Sequence, residues 1–129
     1  MLSFFSSRFR SFTHALRGAW YVMRTQRNAW IHVLITIIVV VVAFWLQISI
    51  RDWAVIILTI TIVFAAEFLN TAVEVVVDLA SPQQHPLAKV AKDVGAAAVL
   101  FAAMAAVVIG LLILGPPLWS RMSQFLSPR

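Results

Sequence analysis

The chain has 129 residues, of which 62% are hydrophobic and only 12% are charged, and its formal net charge is +5 at pH 7. A soluble domain is about half apolar and about a quarter charged, so this composition excludes an ordinary water-soluble globule and a disordered chain. The absence of cysteine excludes disulfides, thiolate metal sites and cysteine nucleophiles. The Lys and Arg residues are dispersed along the chain, so we expect an anionic membrane surface as partner and no nucleic acid.

The first segment, residues 1–28, predicts an amphipathic helix at the membrane interface. Apolar side chains recur there at helical spacing, and most basic side chains fall away from them. The apolar positions are Phe5, Phe9, Phe12, Leu16, Ala19 and Met23, and the basic positions are Arg10, Arg17, Arg24 and Arg27. Such a helix lies with its apolar face in lipid and its basic face toward anionic headgroups. It would serve as an anchor, or as a lid over a site at the interface.

Residues 29–120 predict a domain with three membrane spans. Residues 28–50 and 94–120 carry no charge for longer than the roughly 20 residues that a crossing needs. Residues 53–79 are equally long but contain three carboxylates. Because lipid requires a backbone that is hydrogen-bonded internally, we expect three helices, at about 29–48, 53–79 and 92–118. Gly115-Pro116-Pro117 is expected to end the last helix, before a C-terminal tail at 121–129.

Three spans place the N-terminal segment and the loop near residues 80–92 on one side of the membrane. Seven of the ten Lys and Arg residues lie on that side, so the positive-inside rule makes it cytoplasmic. We therefore expect a multi-pass protein of the cytoplasmic (inner) membrane with a cytoplasmic N-terminus. In the third span, a stripe of small residues from Gly95 to Gly110 predicts a helix-packing surface.

The middle span contains the most informative residues, which are Glu67, Asn70, Glu74 and Asp78. At about 100° per residue, all four project from one narrow helix face, and at about 1.5 Å per residue they extend roughly 16 Å along it. Ionisable side chains in contact with lipid are costly, so this face must look into a helix bundle or a wet cleft.

Two interpretations of this face compete. In the first, its polar groups order an oligomer, although three carboxylates repel one another unless a cation or protons intervene. In the second, its hard oxygen ligands bind Mg²⁺, and the metal together with a lysine neutralises transferring phosphates. Lys89, Lys92 and Asp93 enter the next helix from the same side, and a further carboxylate could be a general base toward a hydroxyl. The sequence has no Gly-x-x-x-x-Gly-Lys-Ser/Thr loop, which excludes a P-loop nucleotide site. His32 is expected to be a hydrogen-bonded packing residue.

Two runs of residues form a longer pattern. They are Glu67-Phe-Leu-Asn70-Thr71-Ala72-Val-Glu74-Val-Val-Val-Asp78 and His85-Pro-Leu-Ala-Lys89-Val-Ala-Lys92-Asp93-Val-Gly-Ala-Ala-Ala98-Val99. Together they resemble the signature of the small bacterial membrane lipid kinases, diacylglycerol kinase and its undecaprenol kinase relatives. The resemblance covers roughly residues 10–115. The loop before Lys89 and the stretch from Arg27 to His32 look closer to the undecaprenol kinase branch.

The resemblance implies an ATP- and Mg²⁺-dependent kinase that phosphorylates the hydroxyl of a membrane lipid, undecaprenol or diacylglycerol. It also implies an all-α homotrimeric bundle whose sites are built from neighbouring chains. By the same resemblance, Glu67 matches the general base and Glu74 matches a metal ligand. Four further residues match positions that orient phosphates, metal or base, namely Asn70, Asp78, Lys92 and Asp93.

One position departs from the family pattern. Family members usually have a glutamate that shares metal binding where this chain has Gln26. An amide keeps an oxygen ligand but loses the charge. The alternatives to a lipid kinase are therefore a catalytically impaired structural member of the family and a small ion or proton pathway along the carboxylate face.

Overall fold

The computed structural model describes residues 2–83 and 85–126, and throughout that part the chain is helical apart from short connections. Its four helices are α1 (Leu2–Thr25), α2 (Arg27–Leu46), α3 (Ile50–Ala80) and α4 (Pro86–Leu126). The last three are long and apolar enough to cross a membrane. The predicted all-helical architecture with three candidate spans is thus confirmed. The side chain of Phe5, and residues 127–129 of the predicted tail, lie outside the described part.

Short connections join the helices. Gln26 separates α1 from α2 in an extended conformation, with φ −103° and ψ 113°. Gln47 ends α2 in the left-handed region at φ 53°, and its N–H donates to the carbonyl oxygen of Phe44 at 3.1 Å. Ser49 then caps α3, because its hydroxyl oxygen accepts the N–H of Asp52 at 3.2 Å and its O–H donates to the Asp52 carboxylate at 2.7 Å. Asp52 holds the acidic N3 position of a capping box, but its carboxylate accepts the hydroxyl of Ser49 and not its backbone N–H.

The prediction that Gly115-Pro116-Pro117 ends the last helix is wrong, because α4 continues through both prolines to Leu126. Proline inside a helix lacks the N–H for one i→i−4 hydrogen bond and its ring crowds the carbonyl of residue i−4. At Pro116 the further clash with the preceding residue is reduced, because Gly115 has no Cβ. In lipid, moreover, the few backbone groups that a proline leaves unpaired are tolerated more readily than a complete break in the helix. The segment predicted as a tail is consequently helical as far as Leu126.

The helices pack unevenly in the single chain. α3 packs most extensively against α4, whereas α2 touches both of them over a smaller surface. At the end of the bundle distant from α1, the rings of Phe44 and Trp53 lie 4.7 Å apart, and the Arg121 guanidinium stacks 5.7 Å from the Trp45 ring centre. Many large apolar side chains on all four helices are exposed. Burial of these faces therefore has to come from lipid or from other chains.

Candidate active site

The most deeply buried polar side chains of the described residues form one cluster on α3. Glu67 is 1% exposed, Thr71 is 3% exposed and Asn70 is 8% exposed. They lie within a little more than one helical turn, so the periodicity that brings them to one face also turns them inward. The sequence-derived face is therefore buried at its Glu67 end and exposed at its Asp78 end.

Glu67 has a buried carboxylate without a hydrogen-bond partner among the described residues. The hydroxyl of Thr71 donates to the backbone carbonyl of Glu67 at 2.9 Å and not to its side chain. His32 on α2 interacts electrostatically with Glu67, and its ring lies edge-on to Phe64 with centroids 6.4 Å apart. A buried carboxylate without partners is costly, so Glu67 is a group free to accept a proton or a donor from a ligand.

Glu74, two turns along α3, is held by two amides. The side-chain Nε2 of Gln26 donates to Oε2 of Glu74 at 2.9 Å, and Nδ2 of Asn70 donates to Oε1 at 3.1 Å. Gln26 reaches this position because the chain is extended there, between α1 and α2. Its backbone N–H, bonded to the carbonyl of Val22 at 2.8 Å, fixes the turn. The connection between α1 and α2 thus places the side chain of Gln26 against the carboxylate of Glu74.

Gly95 on α4 allows the close approach that positions Asn70. A Cβ added to Gly95 would overlap Asn70 Oδ1, and that oxygen is buried without a hydrogen-bond partner among the described residues. The amide of Asn70 is therefore packed between α3 and α4 with its nitrogen on Glu74 and its oxygen unpaired. Any residue larger than glycine at position 95 would displace it.

Asp78 and Lys92 form a second, separate unit. The ammonium of Lys92 donates to Oδ1 of Asp78 in an ion pair that joins the end of α3 to the start of α4. Both residues line a polar cavity of about 630 Å³ beside the loop, together with Ser81, His85 and Lys89. The Nδ1 atom of His85 accepts the N–H of Leu87 at 3.2 Å and so caps α4. This cavity presents two lysines at the Asp78 end of the α3 face.

The predicted site residues therefore fall into three groups. Gln26, Asn70 and Glu74 are joined directly by hydrogen bonds, with Glu67 one turn further along the same face. Asp78 and Lys92 pair with each other. Asp93 is exposed, and no hydrogen bond or ion pair links it to another described residue.

Two residues at the site were not predicted to belong to it. His32 was assigned to packing and Gly95 to a packing stripe, yet the first interacts with Glu67 and the second abuts Asn70. A polar residue at the entrance of an otherwise apolar span is a signal that could have found His32. The sequence offers no comparable signal for which α3 residue Gly95 would meet.

Comparison with known proteins gives consistent matches. The family described as prokaryotic diacylglycerol kinase matches residues 13–114. An undecaprenol kinase of Bacillus subtilis is 46% identical over 110 residues, which cover 85% of this chain and 89% of that protein. A diacylglycerol kinase of Synechocystis sp. is 47% identical over 113 residues, covering 87% of this chain and 65% of the relative. A diacylglycerol kinase of Escherichia coli K12 is 34% identical over 110 residues, covering 80% of this chain and 90% of the relative.

Proposed function

Because the chain belongs to the prokaryotic diacylglycerol kinase family and is accordingly a membrane lipid kinase with ATP as phosphate donor, we propose that its active centre is built on Glu67 and Glu74. The acceptor is the hydroxyl of a membrane lipid, undecaprenol or diacylglycerol, since relatives of both names match most of the chain. The observation that carries the assignment is the buried, unpartnered carboxylate of Glu67.

In this proposal Glu67 is the general base. One of its free oxygens accepts the proton of the lipid hydroxyl while the hydroxyl oxygen attacks the γ-phosphorus of ATP, and the bond from that phosphorus to the ADP oxygen breaks. A base must be within hydrogen-bond reach of the proton that it removes, and the unpaired oxygens of Glu67 leave room for such a bond.

Glu74 and Gln26 are proposed to hold the Mg²⁺ that accompanies ATP. Magnesium prefers carboxylate, amide and water oxygens and is usually held by one or two carboxylates plus substrate phosphates. The described residues include no group of three or more His, Asp and Glu side chains suited to a metal, which fits a site completed by phosphate oxygens. Gln26 contributes by turning its amide oxygen, instead of its nitrogen, toward the site. When bound, the metal would neutralise charge on the transferring phosphoryl group.

Lys92, Asp78 and Asn70 are proposed to position ATP and the carboxylates. The ion pair holds Lys92 beside the polar cavity, where its ammonium can exchange Asp78 for a phosphate oxygen. Asn70 fixes the orientation of Glu74 through its 3.1 Å hydrogen bond. Asp93 follows Lys92 and is exposed. It remains a proposed site residue, which would contact a neighbouring chain or ATP.

The assembly proposed for this multi-pass membrane protein is a homotrimer in the cytoplasmic membrane, with the N-terminus in the cytoplasm. Exposed apolar faces on α2, α3 and α4 supply the surfaces for association. α1 would lie in the interface, because exposed Phe12 and Leu16 alternate with the exposed basic residues Arg10 and Arg17 at helical spacing. In this orientation the ATP-binding residues face the cytosol and the lipid enters from the bilayer.

The test is transfer of labelled γ-phosphate from ATP to undecaprenol and to dioleoylglycerol by the full-length protein in nanodiscs. We expect lipid-dependent formation of a phosphorylated lipid that requires Mg²⁺. The catalytically inert control is Glu67→Gln, reconstituted at the same density. ATP consumption without lipid phosphate, or none with either lipid, would contradict the proposed chemistry, and ion conduction without ATP use would favour a pathway along the carboxylate face.

A further inference from the structure

The polar cavity between the end of α3 and the start of α4 contains a lysine without a partner. Lys89 lines this cavity of about 630 Å³ together with Lys92 and Asp78. Lys92 is already paired with Asp78, whereas no hydrogen bond or ion pair joins the side chain of Lys89 to another described residue. The cavity therefore contains one positive charge that the described residues do not neutralise.

We propose that Lys89 is a further nucleotide-binding residue, whose ammonium binds a phosphate of ATP that is not transferred and that remains in the product ADP. The inference rests on the proposed function, because it concerns the phosphate donor of the same site. Three observations support it, namely the charge of the cavity, the position of Lys89 in α4 and the distance of Lys89 from the proposed base.

The charges of the cavity lining favour an anion. Asp78 and Lys92 cancel each other as an ion pair, and His85 is neutral because its Nδ1 accepts the N–H of Leu87. The other lining residues are uncharged, so Lys89 gives the lining a net positive charge. An ammonium has three donors and no acceptor, and its hydrogen bonds to phosphate oxygens are strengthened by charge.

An acid on the same helix does not neutralise Lys89. Asp93 is four positions further along α4, but no ion pair joins the two residues, and Asp93 does not line the cavity. A lysine that precedes an acid by four residues is also in the less favourable order for a helical ion pair. The ammonium of Lys89 therefore remains available to a ligand.

The position of Lys89 in α4 opposes the helix dipole. α4 begins at Pro86 and has no acidic residue in its first turn, while Lys89 and Lys92 lie in its first two turns. The first N–H groups of a helix carry partial positive charge, so cations there are unfavourable and anions are stabilised. Residues that work against local stability are expected at functional positions, and a bound phosphate would offset the charge of both lysines.

The register of α3 and α4 places Lys89 at the end of the site furthest from the proposed base. Gly95 of α4 abuts Asn70, and Lys92 of α4 pairs with Asp78, so the two helices run antiparallel here. Lys89 is one turn beyond Lys92, about 4.5 Å nearer to the loop at 1.5 Å per residue. From the base outward, the two lysines therefore follow one another in the direction of the loop.

This order gives the two lysines different phosphates. The transferred phosphate must lie at Glu67, where the lipid hydroxyl attacks it, and the proposed metal ligand Glu74 lies between Glu67 and Asp78 on α3. The rest of the nucleotide extends from there toward the loop, so Lys89 reaches a phosphate that does not react. A contact that is equally strong in the ground state and the transition state lowers KM without raising kcat.

The first experiment measures nucleotide binding without turnover. Full-length protein in nanodiscs is titrated calorimetrically, in the presence of Mg²⁺, with ADP and with an ATP analogue that has a methylene group between its β- and γ-phosphates. The variants are Lys89→Met, which removes the ammonium, and Lys89→Arg, which keeps a cation. Arg51→Met is the matched control, because Arg51 is exposed in the first turn of α3, at the opposite end from the loop, and its loss changes the net charge equally.

Lys89→Met should raise the Kd of ADP and of the analogue at least fivefold, and by the same factor within twofold, because both ligands keep the phosphate that Lys89 binds. Lys89→Arg and Arg51→Met should change either Kd less than twofold. The assignment would be overturned by an unchanged Kd for both ligands in Lys89→Met, by a loss confined to the analogue, or by an equal loss in Lys89→Arg or Arg51→Met.

The second experiment separates nucleotide binding from a structural role. Without nucleotide, the thermal unfolding temperature of Lys89→Met should equal or exceed that of the wild type, because the substitution removes a cation from the positive end of α4. With a lipid acceptor, the KM for ATP should rise at least fivefold while kcat falls less than twofold. A lower unfolding temperature, or a fall in kcat at unchanged KM, would overturn the inference. If no lipid were phosphorylated, the proposed function would fail, while the ADP titration would still decide whether Lys89 binds nucleotide.

Discussion

At the scale of single residues, the site contains one carboxylate with hydrogen-bond partners and one without. Each oxygen of Glu74 accepts a hydrogen bond from an amide, whereas neither oxygen of Glu67 has a partner among the described residues. The two hydrogen bonds fix the orientation of the Glu74 carboxylate, which suits it to hold a cation. Glu67 has no such support, which suits it to accept a proton.

Glu67→Gln should abolish phosphoryl transfer without destabilising the protein. General-base catalysis contributes roughly 10²- to 10⁴-fold, so kcat should fall by at least two orders of magnitude. The substitution also removes a buried charge that has no partner, and for this reason the thermal unfolding temperature should stay equal or rise. Labelled phosphate transfer and thermal unfolding in the same detergent measure the two effects. Normal turnover would contradict the catalytic role, and a large drop in stability would indicate a structural role.

Gln26→Glu should lower the Mg²⁺ concentration that gives half-maximal activity. A second carboxylate beside Glu74 adds a charged ligand to a partly desolvated cation, where Coulomb attraction exceeds its strength in water. Repulsion between residues 26 and 74 opposes this gain but is screened when Mg²⁺ is bound. The rate at saturating Mg²⁺ should be equal or higher.

The control for this substitution is Gln26→Leu, which removes both the ligand and the 2.9 Å hydrogen bond to Glu74 and should raise the Mg²⁺ requirement. Mg²⁺-dependent protection against thermal unfolding provides a measurement that is independent of turnover. If neither substitution shifted the Mg²⁺ midpoint in either measurement, Gln26 would not be at the metal.

Gly95→Ala should impair the site through Asn70. The added methyl group overlaps Asn70 Oδ1, so the amide must move and its hydrogen bond to Glu74 must lengthen or break. Overpacking of this kind costs about 1–3 kcal/mol, and the Mg²⁺ requirement should rise severalfold. Gly110→Ala on the same helix, where the methyl meets nothing within 4 Å, is the matched control and should leave the Mg²⁺ requirement unchanged. Equal Mg²⁺ curves for the two variants would refute the role given to Gly95.

At the scale of helices, the ends of α3 and α4 bring charge to the loop that joins them. Asp78 lies in the last turns of α3, and Lys92 lies seven positions into α4. Their ion pair ties the two ends together beside the polar cavity. Because both side chains are partly exposed, the pair contributes less than about 1 kcal/mol to stability. The proposed role of the ion pair is to hold the ammonium of Lys92 where it can bind a phosphate of ATP.

Lys92→Met should weaken the use of ATP with little effect on folding. A hydrogen bond to a charged group contributes about 1.5–3 kcal/mol, so the KM for ATP should rise at least tenfold. The KM for the lipid acceptor should change little, since Lys92 lies beside the polar cavity at the loop. Initial rates measured at varied ATP and fixed lipid test this. An unchanged KM for ATP would mean that Lys92 only extends its ammonium to the interface.

At the scale of the whole molecule, a single chain leaves much apolar surface uncovered. Side chains such as Leu69, Val76 and Phe101 are 68%, 63% and 69% exposed, and lipid by itself provides no strong drive for helices to associate. Polar groups on α3 and close-packed small residues on α4 provide that drive in membrane bundles. This combination supports the proposed homotrimer, in which α3 or α4 faces meet.

The protein in mild detergent should therefore have a polypeptide mass of three chains of 14.4 kDa each. Light scattering corrected for bound detergent measures this mass directly. Activity should fall in parallel with the trimer fraction as detergent is increased. A fully active species with the mass of one chain would exclude sites shared between chains.

Local periodicity and composition were enough to predict several features of the protein. Apolar length predicted three spans, helical spacing placed Glu67, Asn70, Glu74 and Asp78 on one face, and the two-part signature indicated the kinase family. These properties follow from 3.6 residues per turn and from the cost of polar groups in lipid. They do not depend on which helix packs against which.

Which of those residues meet depends on how the helices pack, and the sequence did not predict it. Gln26 reaches Glu74 across 48 positions, Gly95 abuts Asn70, and Asp78 pairs with Lys92 instead of joining Glu74. The continuation of α4 through Pro116 and Pro117 was likewise not predicted from local signals. Helix rotation, register and separation are set by packing between distant segments. A pattern within one helix does not contain that information.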